Sequence, residues 1–514
     1  YYTPTYIVQY IVGQTLGVML NDYTQRTLKN FTVIDPACGS GSFLLGAYQY
    51  LLDWYLKKYI EGDVDLYAKG KRPKIFKSEK SGWRLTTHER KRILLEHIYG
   101  VDVDPQAVEV TKLSLLLKVL EEESAENIYK TWEFFHERAL PDLDDNIKCG
   151  NSLIEPDFYG DMFAFDDDLR EQVNAFDWAK EFPEQIKAGG FDVVIGNPPY
   201  LYSAGKQFAD YYLRKYALAQ YQTDFYVYFI ERAIALARRK GMVSFIVSDS
   251  WLNSQYFSKL REHILKAHKI SRIAVFDYPV FEKAALENSI FVLIKSQKPQ
   301  SFPVTVFQSA SKTKELSNID PVHALKLGQI NPRSSPDEQR LLQKLETHTV
   351  PLGRIVQLNR GIHAYRTDGY GQSKYGKGPQ TKRDKEEQSY HSDHPKDKTY
   401  LPELKGKDVY RYSYVPTGKF LSYGPWLAEP RQPEFFNQPK VVLRKILSKK
   451  LHGTYIEKPH AIDQSLYILI SAGRDPATLK YVLGILASGI GAWYLRTKWA
   501  IYDVLYPWYT VKQL

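Results

Sequence analysis

Asn197-Pro198-Pro199-Tyr200 follows directly on a β-branched apolar run, Phe191-Asp192-Val193-Val194-Ile195-Gly196, and these residue types suit the holding of an aromatic amine. Neither proline has an N–H to donate and each fixes φ, so the carbonyls of Asn197 and Pro198 are presented outward instead of being spent in secondary structure. The Asn197 amide oxygen and the Pro198 carbonyl can together accept the two N–H bonds of an exocyclic amine. The Tyr200 ring offers a face on which a planar base can stack. Taken alone, the four residues also read as a proline-stiffened turn after a core strand, so their meaning depends on what surrounds them.

A second constellation lies earlier. Phe31-Thr32-Val33-Ile34 reads as a strand that runs into Asp35-Pro36-Ala37-Cys38-Gly39-Ser40-Gly41-Ser42-Phe43, after which Leu44, Leu45, Tyr48, Leu51 and Leu52 recur with helical period. A strand, a glycine loop and a helix in that order bind nucleotide-like ligands at the carboxyl end of an α/β sheet, because glycines let a ligand approach the backbone. The spacing is neither Gly-x-Gly-x-x-Gly nor a phosphate loop with Lys-Ser/Thr. Asp35 at the strand tip suits an ammonium or sulfonium group better than a pyrophosphate. Tyr99-Gly100-Val101-Asp102-Val103-Asp104-Pro105 supplies another strand with a carboxylate at its end. Asp102 is placed where ribose hydroxyls are held, and Asp104 where a helix N-cap belongs. Thr3-Pro4 opens a helical pattern, with Thr3 as its expected cap and Pro4 as its first residue.

The elements that must carry these loops alternate between strand and helix. Further strands are expected at Gly241–Val247, Ile273–Phe276 and Ser289–Ile294, with a helix opening at Thr223-Asp224 whose aromatics read as core. This pattern predicts a doubly wound, mostly parallel sheet whose last two strands form a hairpin. Residues 57 to 92 are polar and rich in Lys and Arg, which reads as a solvated insertion.

The ordered set Tyr-Thr-Pro, Asp-Pro-Ala-Cys-Gly-Ser-Gly, Gly-Val-Asp-Val-Asp-Pro, Cys149-Gly150-Asn151-Ser152-Leu153 and Asn-Pro-Pro-Tyr resembles the gamma class of DNA adenine-N6 methyltransferases of restriction-modification systems. The resemblance implies an α/β fold with a seven-stranded doubly wound sheet and S-adenosylmethionine as cofactor. Thr3, Asp35, Pro36, Ala37, Gly39 and Gly41 would meet its methionine part, Asp102 its ribose, Val103 its adenine face and Asn151 its adenine edge. Many relatives carry Asp where this chain has Asn151, whose oxygen can still accept from an amino group. The resemblance also makes Asn197, Pro198, Pro199 and Tyr200 catalytic, and Phe281 a second aromatic at a flipped adenine. By composition alone Phe281 reads as core. Methyl transfer would be direct and in line, needing neither a covalent intermediate nor a metal.

Composition bounds the rest. The 514 residues, 44% hydrophobic and 25% charged, match ordinary globular usage, and no apolar stretch reaches membrane-spanning length. Only two cysteines occur, Cys38 and Cys149, so a reducing cytoplasm is expected, and there is no zinc pattern. The first residue is Tyr1, and no secretory leader precedes it.

Charge is unevenly distributed. Residues 351–514 hold 26 Lys+Arg against 14 Asp+Glu, whereas residues 1–350 hold 43 against 45. All the surplus positive charge therefore sits in the last third, as contact with a polyanion such as double-stranded DNA requires. There Arg411, Lys419, Arg444 and Lys445 are interleaved with Tyr410, Tyr412, Tyr414, Phe420, Tyr423 and Trp426, a mixture that suits phosphate contact and stacking, or equally a β-rich core. This region is similar to the TaqI-like C-terminal specificity domain.

The expected organisation is a methyltransferase domain over 1–300, a linker over 301–350 and a mixed α+β target-recognition domain over 351–514. Mobile loops are expected between 365 and 400. The family implies a restriction endonuclease as partner, either as a domain upstream of Tyr1 or as a separate subunit; no Asp plus Glu-x-Lys arrangement places one in this chain. Two other readings stay open. Asn-Pro-Pro-Tyr also serves the side-chain amide in protein glutamine-N5 methylation, and the chain could be a DNA-binding specificity subunit with an inactive methyltransferase half.

Overall fold

The computed structural model describes residues 3–514 apart from 25–26, 71, 79–81, 122–140, 161–166, 201–205, 219, 221–222, 282–286, 348, 417, 474, 500–508, 510 and 512–513. Tyr2 of the Tyr-Thr-Pro motif lies outside the described residues. The chain forms two compact units, Tyr1–Pro332 and Arg333–Leu514.

The first unit is built on a nine-stranded sheet. Its strands are β1 (Val33–Asp35), β2 (Ile98–Asp102), β3 (Ile147–Cys149), β4 (Phe191–Gly196), β5 (Ala237–Ser248), β6 (Lys269–Phe276), β7 (Asn288–Ile294), β8 (Phe302–Ser309) and β9 (Lys312–Ile319). Their spatial order is β9-β8-β6-β7-β5-β4-β1-β2-β3. From β3 to β5 the pairings are parallel, and β7 runs antiparallel to both β5 and β6. The expected terminal hairpin is therefore present, but it is not the end of the sheet. β8 adds parallel to β6 and β9 closes the edge antiparallel, so residues 302–319, expected in a linker, are sheet. β8 is buried on both faces over most of its length, with Phe302, Val304 and Val306 in one core and Phe307 in the other, following the period-two alternation of side chains.

The two middle strands diverge in connection: from β1 the chain moves outward to β2 and β3, and from β4 it moves the other way to β5. That makes the gap between the tips of β1 and β4 the topological switch point, where open α/β sheets bind ligands. β4 is buried along its whole length, as a central parallel strand covered on both faces must be. Val33, Val193 and Ile195 enter one core while Ile34 and Val194 enter the other, following the period-two alternation of side chains. Asp192 fixes the register of this pair from below: its carboxylate accepts from the Thr32 N–H at 2.8 Å and pairs with Arg238.

Helices α1 (Thr5–Met19), α2 (Ser42–Glu61), α3 (Pro105–Leu120), α4 (Lys206–Lys215) and α5 (Phe225–Leu236) cover the sheet. Asp104 caps α3 through Gln106 N–H with Pro105 at the first position, as expected. Pro4, not Thr3, occupies the N-cap position of α1, which leaves Thr3 outside the helix. The insertion at 57–92 folds back as a hairpin, Ile75–Ser78 with Gly82–Leu85. It is anchored by the buried Glu89, which accepts from Tyr59 and Arg92.

The second unit holds two four-stranded sheets and a helix pair, Pro476–Leu486 and Gly489–Trp499, bent by 67° at its break. Among the described residues no single helix is long and apolar enough to cross a membrane. The stretch expected to be mobile is organised around the buried Asp384. Its two oxygens accept from Lys374 N–H, Thr381 N–H and the hydroxyls of Ser373, Thr381 and Ser389. Those bonds hold its carboxyl far below the ordinary carboxylate range despite burial. A polar loop poor in aliphatics can be fixed by such a hub instead of by a core.

Candidate functional site

A cavity of about 960 Å³ opens at the switch point and is lined by residues from both constellations. It lies wholly in the first unit, and its size is that of a ligand-binding cleft. On the β1 side are Asp35, Pro36, Ala37, Cys38 and Gly39; from β2 and beyond come Asp102, Val103 and Asn151; on the β4 side are Asn197, Pro198, Pro199 and Tyr200, joined by Thr3 and Phe281. Of the residues expected at a cofactor or a target amine, only Gly41 is absent from the lining. Gly41 instead has φ +82° and caps α2, and a Cβ there would meet the Thr111 side chain at 2.9 Å.

The glycine loop is shaped by its bonds. Gly39, at φ +52°, donates its N–H to Asp102 Oδ2 at 2.8 Å, while its carbonyl accepts from the Thr111 hydroxyl at 2.7 Å. The other Asp102 oxygen accepts from Asp104 N–H at 3.0 Å. Asp102 thus ties the first loop to the second, and each of its oxygens keeps a lone pair for a ligand hydroxyl.

Asp35 is almost fully buried and accepts from Ala37 N–H at 3.0 Å. Burial pushes its carboxyl up to about 8, the Ala37 bond opposes that rise and the Asp102 charge adds to it. A cation placed beside such a carboxyl would favour its ionised form. Gly196 at the tip of β4 is the reason it fits: a Cβ there would stand 2.6 Å from Asp35 Oδ1.

Val103 is 52% exposed, an apolar side chain left uncovered at the cavity wall. Asn151 uses its side-chain oxygen to accept from Leu153 N–H at 3.1 Å, a local turn that an Asp could make while keeping a second oxygen free.

In the loop that follows β4, Asn197 Nδ2 donates to Thr3 Oγ1 at 3.2 Å and the Tyr200 hydroxyl donates to Asn197 Oδ1 at 3.1 Å. Thr3, expected to cap a helix or touch a cofactor, is bonded to the asparagine side chain. The Tyr200 hydroxyl also lies 3.1 Å from the Ile246 carbonyl, and burial raises its pKa strongly. Phe281 is both buried in the core and part of the cavity wall, so its two expected placements coincide.

Sequence reasoning did not single out Tyr212, Phe225 and Phe229, which complete the aromatic side of the cavity. Tyr212 stands edge-on to Phe225 with ring centroids 5.4 Å apart. Its helix, α4, is pinned by Lys215 to Glu155 and Asp157, with Arg232 of α5 also on Glu155. The aromatics of α5 are core as expected at Tyr226 and Phe229, with Phe229 also part of the cavity wall, while the half-buried Phe225 packs against that core and lines the wall. The helical spacing of Phe225 and Phe229, four apart, was the available signal.

The four cations expected at DNA lie in the second unit in different states. Arg411 Nε donates to the Ala487 carbonyl at 3.0 Å, and Arg444 Nε to the Val409 carbonyl at 2.6 Å. Their rings of contact are Tyr412 and Tyr410, at 4.7 and 5.3 Å. Lys419 pairs with Asp393. Lys445 is held over the Tyr467 ring at 5.4 Å, and its pKa is lowered by burial and then by Arg360.

Fold and site together define a doubly wound α/β domain with a ligand-sized cavity at its switch point, followed by a second, basic unit. Residues 96–281 match the Eco57I restriction-modification methylase family and residues 401–514 the TaqI-like C-terminal specificity domain. Two segments of the chain thus resemble a restriction-modification methylase domain and a specificity domain.

It is similar to the type II restriction enzyme and methyltransferase RM.Eco57I of Escherichia coli, 30% identical over 57% of this chain and 27% of that protein. It is also similar to the adenine-specific methyltransferase PglX of Streptomyces coelicolor, 27% identical over 54% of this chain and 21% of that protein. The matches therefore cover about a quarter of these relatives' length. The fold is shared with the type IIL restriction-modification enzyme MmeI, solved in complex with DNA, at 13% identity and a TM-score of 0.57 over 96% of this chain and 62% of that one.

Proposed function

We propose that this chain transfers a methyl group from S-adenosylmethionine to the N6 amine of an adenine flipped out of double-stranded DNA, by direct in-line displacement, at a site chosen by its second unit. The observation that carries this reading is the convergence of Asn197, Pro198 and Tyr200 with Asp35, Asp102 and Val103 on one cavity.

The residues present fit the cofactor. Asp35 offers a buried carboxyl whose ionised form can meet a cationic ligand, Asp102 keeps acceptor capacity for ribose hydroxyls, and Val103 gives an exposed apolar face for a base. Bound there, S-adenosylmethionine supplies an electrophilic methyl group on its sulfonium. Everything else falls to the protein. An adenine inside a duplex cannot reach the cavity, so it must leave the stack, and the Tyr200 ring with Phe281 offsets part of that cost of a few kcal/mol. The Asn197 side-chain oxygen and the Pro198 carbonyl accept the two N–H bonds of the amine. They thereby turn the nitrogen lone pair toward the methyl group, and their pull strengthens as positive charge grows on that nitrogen. Tyr212, Phe225 and Phe229 give the cavity an aromatic wall beside this site.

The basic unit supports DNA as the substrate in preference to a protein glutamine. The relative RM.Eco57I is named as both restriction enzyme and methyltransferase, which supports an endonuclease domain or subunit acting with this chain. Tritiated methyl transfer to adenine-containing duplexes tests the reading. Label should appear at N6 and fall by at least about a hundredfold in Asn197→Ala with cofactor binding retained. Label on protein alone, or an unchanged rate in the variant, refutes it.

A further inference from the structure

We infer that Asn288 is a positioning residue for methyl transfer, acting through the Tyr200 hydroxyl to set which way the Asn197 carboxamide faces; this rests on the proposed function of the cavity. Asn288 heads β7, paired with Ser248 of β5, in a strand that continues Ser289-Ile290-Phe291-Val292-Leu293. It is 3% exposed. Its Nδ2 donates to the Tyr200 oxygen at 3.3 Å, and its Oδ1 is buried without a hydrogen-bond partner among the described residues. A carboxamide placed in an apolar strand is costly, and the bond to Tyr200 offsets part of that cost.

That bond resolves an ambiguity. Asn197 lies between two hydroxyls, Thr3 and Tyr200, and each can donate or accept. By themselves they would tolerate the carboxamide in either orientation. Only the orientation with oxygen toward Tyr200 leaves an acceptor on the amine's side; turned over, Asn197 would present N–H groups to N–H groups. Asn288 donates into the phenol oxygen, so a second N–H from Asn197 would have to crowd in beside it. The phenol proton is then left to point at Asn197 Oδ1 or at the Ile246 carbonyl, both 3.1 Å away. Asn288 thus favours the productive orientation without touching the substrate.

A double-mutant cycle tests this. Asn288→Ala should lower kcat by about tenfold to a hundredfold while leaving KM for DNA and the affinity for S-adenosylmethionine within about twofold. In a Tyr200→Phe background the same substitution should add less than about twofold, because the hydroxyl that carries its effect is gone. Equal losses in both backgrounds, or a loss carried by KM or cofactor affinity, would overturn the assignment.

The side-chain amide resonance of Asn197, identified by its absence in Asn197→Ala, gives a second readout that needs no turnover. It should move in Asn288→Ala and stay put when that substitution is made in Tyr200→Phe; movement in both backgrounds, or in neither, counts against the assignment. A wild-type protein that methylates no adenine would sink the proposed function and leave Asn288 to be judged on this resonance alone.

Discussion

Replacing Asp35 by Asn should abolish a pH dependence of cofactor binding that the wild-type cavity builds in. In the empty protein the Asp35 carboxyl is pushed up to about 8, chiefly by burial, so it is largely protonated at pH 7. A cationic cofactor engages the ionised form. The ionised fraction rises from about one in eleven at pH 7 to about ten in eleven at pH 9, a tenfold gain worth about 1.4 kcal/mol. The cofactor's own amine titrates in the same window, so the informative quantity is the ratio of the variant's Kd to the wild type's, which should rise about tenfold from pH 7 to pH 9. Calorimetry in buffers of different ionisation enthalpy should also find close to one proton released per wild-type binding event at pH 7, beyond whatever the Asp35→Asn variant shows. Stability gives an independent sign. A carboxyl raised from 3.8 to about 8 contributes stability that is fully present below about pH 4 and is lost as pH rises to about 8. The empty variant should therefore unfold later than the empty wild type at pH 9. An identical pH dependence of Kd in the two proteins would refute the reasoning.

Three other outcomes are expected. Gly196→Ala drives a Cβ to 2.6 Å from Asp35 Oδ1 and should cost about 1–3 kcal/mol by overpacking, together with cofactor affinity; a urea midpoint and Kd matching wild type would show that the strand tip can yield. His97 is buried, bonded to the Tyr55 hydroxyl at 2.9 Å and to the Phe31 carbonyl at 2.6 Å, and burial lowers its pKa to about 4. Its neutral form is the one that folds, so stability should fall by up to about 3 kcal/mol as pH drops from 6.5 to 4, and His97→Gln should flatten that part of the urea-midpoint profile. A chain ended at Pro332, the limit of the first unit, should bind S-adenosylmethionine within about twofold of the full chain and lose site-specific DNA binding by gel shift. Equal sequence discrimination by the fragment would remove the second unit from recognition.

Much of the site was legible because its parts are local. A β-branched run that meets Gly196-Asn197-Pro198-Pro199 can only be a strand that stops and presents its carbonyls. Asp35 followed by Gly39 and Gly41 is a strand tip followed by a loop that needs φ values few residues adopt. The seven-stranded expectation fell short because residues 302–319 lie in the segment expected to be a linker, whereas Phe302, Val304, Val306 and Phe307 are buried and the stretch pairs onto β6.

The sequence by itself determined the order of the loops, the chemistry each can offer and the segregation of positive charge, since these are properties of neighbouring residues and of composition. The tertiary structure alone decided that Asp35, Asp102 and Asn197 share one cavity, because that depends on β4 pairing with β1 across about 160 residues of chain. It also turned Thr3 from an expected helix cap into a partner of Asn197, and made wall of Tyr212, Phe225 and Phe229. Arg411 and Arg444 ended on backbone carbonyls and Asp384 became the hub of a loop poor in aliphatics. Such bonds join residues whose separation along the chain carries no periodicity, so no local pattern could announce them.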